Sequence, residues 1–454
     1  MFFCSIGWLP EHFGLLGTAI VGRLVGLFIL AVGWVSFGKR VTASNTAVLL
    51  GILGYLGLFQ LGTLSGEWLV GGIEGKVPAW GSALFGVAFA LDRRWLRFGI
   101  HAGIATAFHP VVGAWLVLAI AGCEAIRTVA GDPPWSESRG KRLLAGSLIA
   151  CALSAPGLVP ALSVLRPPEV VPPNLLDKVS DVHELVSQAD YIQVYGRLKH
   201  HLDPMDFEPS GWWRYGVLLV AWLLLARRRP ELVRLHLIVL AGTLFALAAV
   251  AIAYGPRPAM DMPGYAWKAK VLKLYPFRFI DALLPIVVAL ELGKLIAARL
   301  GRKQTWLAST AICALVFAAP VIRQLQPAKN LHSDWLDACS WIRANALMES
   351  ICVTPRESLD FKWYAERPEF VNYKDCPQDA VGIVEWNRRL WLLQHWRQQS
   401  LIGDDAYSRD ELAEFRRLTG ASYLVTRRIE PILVEPTYRN STYRIYQLPE
   451  PEEP

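Results

Sequence analysis

Apolar runs long enough to cross, or nearly cross, a hydrocarbon slab of roughly 30 Å recur from Phe13 to Ile322. With 53% hydrophobic residues and 18 tryptophans, the chain carries more apolar surface than one soluble core needs, which places it in the membrane class. Residues 327–454 instead read as a mixed polar sequence. The expected architecture is a polytopic α-helical membrane domain over residues 1–325, with external loops 63–77, 166–212 and 255–278, followed by an α/β domain over residues 330–454.

About eight spans are expected, near 14–37, 45–62, 78–91, 143–165, 213–226, 232–254, 279–297 and 305–322. Residues 98–126 contain His109-Pro110, and proline removes a backbone donor while disfavouring helix at the residue before it. The segment is either one kinked span or a re-entrant pair of short helices that enters and leaves on the same side. With a re-entrant pair, loops 38–44, 92–97, 127–142, 227–234 and 298–303 share one side and hold 16 Lys and Arg in 43 residues, against 10 in 99 on the other. A single span makes the totals 14 against 12 and erases the asymmetry that orients a bacterial-type membrane protein. The re-entrant reading is therefore preferred. It places the C-terminal domain outside the cytoplasm of a multi-pass protein in a bacterial cytoplasmic (inner) membrane. Met1 then also falls outside, behind an almost uncharged leader, so either the N-terminus is external or an upstream helix precedes this chain.

The C-terminal region alternates helix and strand. Residues 334–345 are amphipathic, 350–355 form a short strand, and 379–399 have helical periodicity. Ser408 and Glu411 form a capping box for a helix that stops at Gly420; the strand "ASYLVT" and a hairpin around "RNST" follow. Cys339, Cys352 and Cys376 would permit one disulfide in an oxidising compartment. Cys123, Cys151 and Cys313 read as small hydrophobes in apolar spans. No Cys/His spacing suggests zinc, and no cofactor or nucleic-acid partner is indicated.

Polar residues within the apolar region supply the candidate site. In "SGEWLVGGIEGKVPAW", Glu67 and Glu74 are seven apart, two turns on one face if the segment is helical, with Lys76 beside them. The glycines argue for irregular backbone instead, which at membrane depth needs protein or a water-filled cavity around it. Arg23, inside the first span, calls for a partner, a glutamate before a ligand. His109, at the helix break, is either a satisfied helix-end residue or a cavity wall. Lys268, Lys270, Lys273 and Arg278 interleave with aromatic residues as in an interfacial helix. In "YGRLKHHLDP", Arg197, Lys199, His200 and His201 add positive charge on the same side. A lipid phosphate would compensate these charges, as would simple headgroup anchoring. A His200–His201 metal site is disfavoured, because adjacent side chains of an extended segment point in opposite directions.

The order of parts resembles the GT-C class of polytopic glycosyltransferases. More narrowly, "EGKVPAW", "FHPVVGAW", "RLKHHLDP", "TPRESLDFKWYAERPEFVNYKD" and "EWNRRL" are similar to segments of a family of uncharacterised bacterial membrane proteins of this type. The resemblance implies irregular outer loops around a site for a polyprenyl-phosphate-linked sugar, with the acceptor unspecified. It also implies a carboxylate base, which the GT-C class carries on the first external loop after the first span. That loop has no counterpart here, so Glu67 or Glu74 becomes the candidate catalytic base. Lys76, His109, Arg197, His200, His201, Lys268 and Lys270 become the candidate phosphate-binding residues. The competing expectation is a non-enzymatic membrane protein, either a lipid or solute transporter or a scaffold whose external domain binds a partner.

Overall fold

The computed structural model describes residues 5–131, 136–299, 331–355, 360–402, 407–427 and 432–450, with isolated positions 304, 307 and 310. The chain divides into two compact units, residues 1–166 with 193–321, and residues 167–192 with 322–454. The segment 166–212, expected as one outer loop of the membrane domain, is therefore split at Ile192. Its first part carries the helix Val182–Tyr191, whose Leu185 and Ala189 pack with Leu175 against Ile383, Val384 and Trp386 of the second unit.

The first unit is a helical bundle: α1 Leu9–Thr42, α2 Asn45–Gln60, α3 Lys76–Leu91, α4 Trp95–Phe108, α5 Pro110–Val129, α6 Glu137–Val164, α7 Pro209–Arg227, α8 Val233–Ala253, α9 Tyr265–Leu272 and α10 Arg278–Arg299. Among the described residues, four stretches are long and apolar enough to cross a membrane: α1, α5, α6 and Pro230–Ala253, which contains α8. The apolar run 305–322 lies almost wholly outside the described residues. Exposed positions on α1 and α6 are themselves large and apolar, among them Leu16, Phe28, Leu148 and Val159, so these faces suit hydrocarbon rather than water. In α10 every residue from Phe279 to Glu291 is buried, and a helix that is apolar nearly all round belongs at the centre of its bundle.

Small residues set the helix directions, because they let backbones approach closely where no water drives association. In α4 and α6, Gly99 lies against Gly146, Gly103 against Ala150 and Ala107 against Gly157, so the two helices run parallel. The intervening α5 must return. Residues 98–126 are thus a hairpin broken at His109, whose backbone is extended (φ −151°) where Pro110 opens α5. Likewise α1 runs parallel to α3, with Gly26 against Val77 and Gly33 against Gly81, while α10 runs antiparallel to α2, with Gly51 against Leu290 and Gly293 against Ala47. One end of the bundle therefore collects residues 61–75, the His109 break, 193–208 and 254–277. The opposite end collects the connections expected to be rich in Lys and Arg. Arg23, for which a carboxylate partner was expected, is exposed on α1 and has none among the described residues.

The second unit is α/β. A four-stranded sheet in the order β1-β2-β4-β3 (Cys352–Val353, Tyr423–Arg427, Tyr443–Gln447, Tyr438–Arg439) pairs β1 parallel to β2 and the rest antiparallel. Its helices are α11 Leu331–Asn345, α12 Phe361–Ala365, α13 Ala380–Ile402 and α14 Arg409–Thr419. The capping box at Ser408 and Glu411 is formed, and Gly420 ends α14 in the left-handed region (φ 68°), as the local sequence requires. Cys339, Cys352 and Cys376 are free thiols; the first two are buried in the same apolar cluster.

Candidate functional site

The loop between α2 and α3 is irregular from Leu61 to Gly75, so Glu67 and Glu74 do not share a helical face. The loop is held from below by α10. The Asp281 carboxylate accepts the backbone N–H groups of Leu64 (2.8 Å), Ser65 (2.9 Å) and Glu67 (3.0 Å) and the Ser65 hydroxyl (2.9 Å). The Tyr215 hydroxyl of α7 also donates to it. Asp281 is 2% exposed, and these five donors replace the water it lost.

Glu67 is equally buried. One carboxylate oxygen accepts from Trp80 Nε1 at 2.8 Å, and the other pairs with Arg278 Nε at 2.9 Å. Trp80 stacks on Phe279 with centroids 5.9 Å apart, which fixes its ring. Arg278 also donates from Nη1 to His109 Nε2 at 2.9 Å, and its guanidinium lies over the Tyr275 ring. One arginine thus ties the loop, the helix break and the start of α10 together. Burial pushes the Glu67 carboxyl above the usual carboxylate range, while Arg278 and Lys76 pull it down.

From the other side comes "YGRLKHHLDP". Residues 192–197 form a π-helical segment and Lys199–Leu202 a single helical turn. The His200 and His201 rings therefore lie side by side, 4.1 Å apart, and do not point in opposite directions as an extended segment would require. His201 Nδ1 donates to the Ser65 carbonyl, which puts its proton on Nδ1, and burial lowers its pKa to about 4. Its ring sits where a side chain on Gly66 would project, and Gly66 has φ 75°, so glycine is required there twice over. Asp203, 3% exposed, receives Arg257 through Nη2 (2.6 Å) and Nε (3.0 Å), a two-pronged pair that clamps the segment onto residues 254–258.

The structure thus gathers Glu67, Lys76, His109 and His201 around Arg278 and Asp281, and it spreads the rest outward. Glu74 is half-exposed, with Lys76 Nζ 3.5 Å away and resting on the Trp68 ring. Lys268 donates to the Tyr254 carbonyl at 3.2 Å, and Lys270 and His200 are exposed. Arg278 does not continue the interfacial helix, because α9 stops at Leu272 and Tyr275 turns the chain with φ 54°. Trp80, Tyr215 and Asp281 escaped the sequence reading. The signal for Asp281 was present, since an acidic residue inside an apolar span marks a functional or organising position. Among the described residues no group of three or more His, Cys, Asp or Glu is arranged to hold a metal ion.

Residues 333–393, from α11 into α13, match a domain of unknown function, DUF6798. No curated protein matches the chain.

Proposed function

We propose that the helical unit is a GT-C-like membrane glycosyltransferase, or a remnant of one, that holds a polyprenyl-phosphate-linked sugar at the loop-bearing end of its bundle, outside the cytoplasm of a bacterial inner membrane. One observation carries this reading. The buried carboxylates at that end are consumed internally, Glu67 by Arg278, Asp203 by Arg257 and Asp281 by the loop backbone, while no described carboxylate pairs with Lys268 or Lys270. Uncompensated cations are unusual on the translocated side of a membrane protein, and a lipid phosphate supplies the missing charge.

In such a reaction a carboxylate takes the acceptor hydroxyl proton as that oxygen attacks the anomeric carbon, and the sugar–phosphate bond breaks with cations stabilising the departing phosphate. Glu67 is sealed by Trp80 and Arg278, so Glu74, open to solvent, is the better base. The sealing of Glu67 also favours the second reading, a non-enzymatic lipid-binding membrane protein. Both readings predict that Lys268→Ala/Lys270→Ala weakens polyprenyl phosphate binding in nanodiscs by about a hundredfold, each charged contact contributing about 1.5 kcal/mol. Unchanged affinity would remove the phosphate site. Transfer activity lost in Glu74→Gln with binding intact would select the enzyme; no transfer by the unsubstituted chain would select the binding protein.

A further inference from the structure

A cavity of ≈ 380 Å³ opens between α2, α7 and α10, beneath the loop that carries Gly62 and Glu67. Its walls are largely apolar, including Leu58, Phe59, Leu218 and Pro285. Its rim includes Leu61, Trp213 and Val217, which are 63%, 69% and 46% exposed. In an apolar bundle such a rim faces hydrocarbon, so the entrance is lateral.

Two polar groups on this cavity are unspent. Tyr55 is 5% exposed, yet its hydroxyl has no hydrogen-bond partner among the described residues. Arg214, on apolar α7, is paired with no described carboxylate. Its guanidinium donates to the Leu61 carbonyl and lies where a side chain on Gly62 (φ 114°) would project, so the cation is fixed at the cavity mouth. The carboxylates that reach the cavity, Glu67 and Asp281, already have Arg278 and the loop N–H groups, and do not neutralise it.

We propose that this cavity binds one hydrocarbon chain of a bilayer glycerophospholipid, with the lipid phosphodiester on Arg214 and an ester carbonyl accepting from Tyr55. A guanidinium fixed at the mouth of an apolar cavity favours an anion, and an apolar cavity open to the side needs an apolar occupant. A phospholipid supplies both in one molecule. Lys268 and Lys270 do not line this cavity, so the lipid site stands whether or not the polyprenyl phosphate reading holds.

The test is retention of phosphatidylglycerol by the full chain in detergent, read by native mass spectrometry. The unsubstituted chain should keep one lipid saturably. Arg214→Gln should lower retention by about tenfold, the loss of one charge-assisted contact. Val217→Trp, which narrows the entrance and leaves Arg214 in place, should lower it too, and diacylglycerol, lacking the phosphate, should bind as weakly as phosphatidylglycerol binds the Arg214 variant. Lys268→Ala/Lys270→Ala, at residues that do not line the cavity, should leave phosphatidylglycerol retention as it is even where it weakens polyprenyl phosphate binding. Retention that survives both Arg214→Gln and Val217→Trp overturns the proposal. Competition by inorganic phosphate as strong as that by lipid would reduce the site to an anion site and overturn it equally, as would displacement by polyprenyl phosphate that depends on Lys268 and Lys270.

Discussion

Asp281→Ala should lower the unfolding free energy of the detergent-solubilised chain by about 4 kcal/mol, because each buried donor left without a partner costs about 1–3 kcal/mol and water reaches only some of them. Four donors lose their acceptor at once, three loop N–H groups and the Ser65 hydroxyl, while the Tyr215 hydroxyl keeps the main-chain carbonyl of residue 281. Asp281→Asn, which keeps one acceptor oxygen, should lose roughly half as much, and Tyr215→Phe about 1 kcal/mol. The same carboxylate sets the position of Glu67 and thereby the course of the loop to Glu74, so sugar transfer should fall with the stability. An Asp281→Ala chain that unfolds within about 0.5 kcal/mol of the unsubstituted one would show that the loop does not depend on this anchor.

The second large effect concerns Glu67 and Arg278, whose side chains are 1% and 13% exposed. Breaking a buried pair by removing one partner costs about 3–5 kcal/mol, since the other charge is left uncompensated. Glu67→Ala and Arg278→Met should each be destabilising at this scale, and the double variant should be less damaged than the sum by about 1–3 kcal/mol. His109 loses its Arg278 donor in two of the three chains, so the α4–α5 break should loosen there, visible as faster amide exchange around residue 109. Strict additivity would mean that the pair is not formed. A Glu67→Gln chain of unchanged stability that fails to transfer sugar would instead make Glu67 the base.

The hairpin at His109 was legible in the sequence because topology constrains charge. Loops around Arg40, Arg93, Arg139 and Arg228 share a side only if the chain turns back at Pro110, and the helix directions have that pattern. The elements of the second unit were legible for a local reason: Ser408 and Glu411 are three residues apart, and Gly420 marks its helix end without help from distant contacts. What failed depended on distance. The packing of Leu185 against Ile383 and Trp386 spans some two hundred residues and has no periodic signature, so the 166–212 loop could not be divided from sequence. His200 and His201 were misjudged because a helical turn replaced extended chain. Arg23 was expected to find a glutamate, but it is exposed on α1 and pairs with no described carboxylate.

The proposed lipid-phosphate site on the helical unit can be tested directly. A photoactivatable polyprenyl phosphate, crosslinked in membranes and mapped by peptide mass spectrometry, should label residues 193–208 and 254–278, with labelling of 254–278 reduced in Lys268→Ala/Lys270→Ala. Labelling confined to the opposite, basic end, at residues 92–97 and 127–142, would contradict the account.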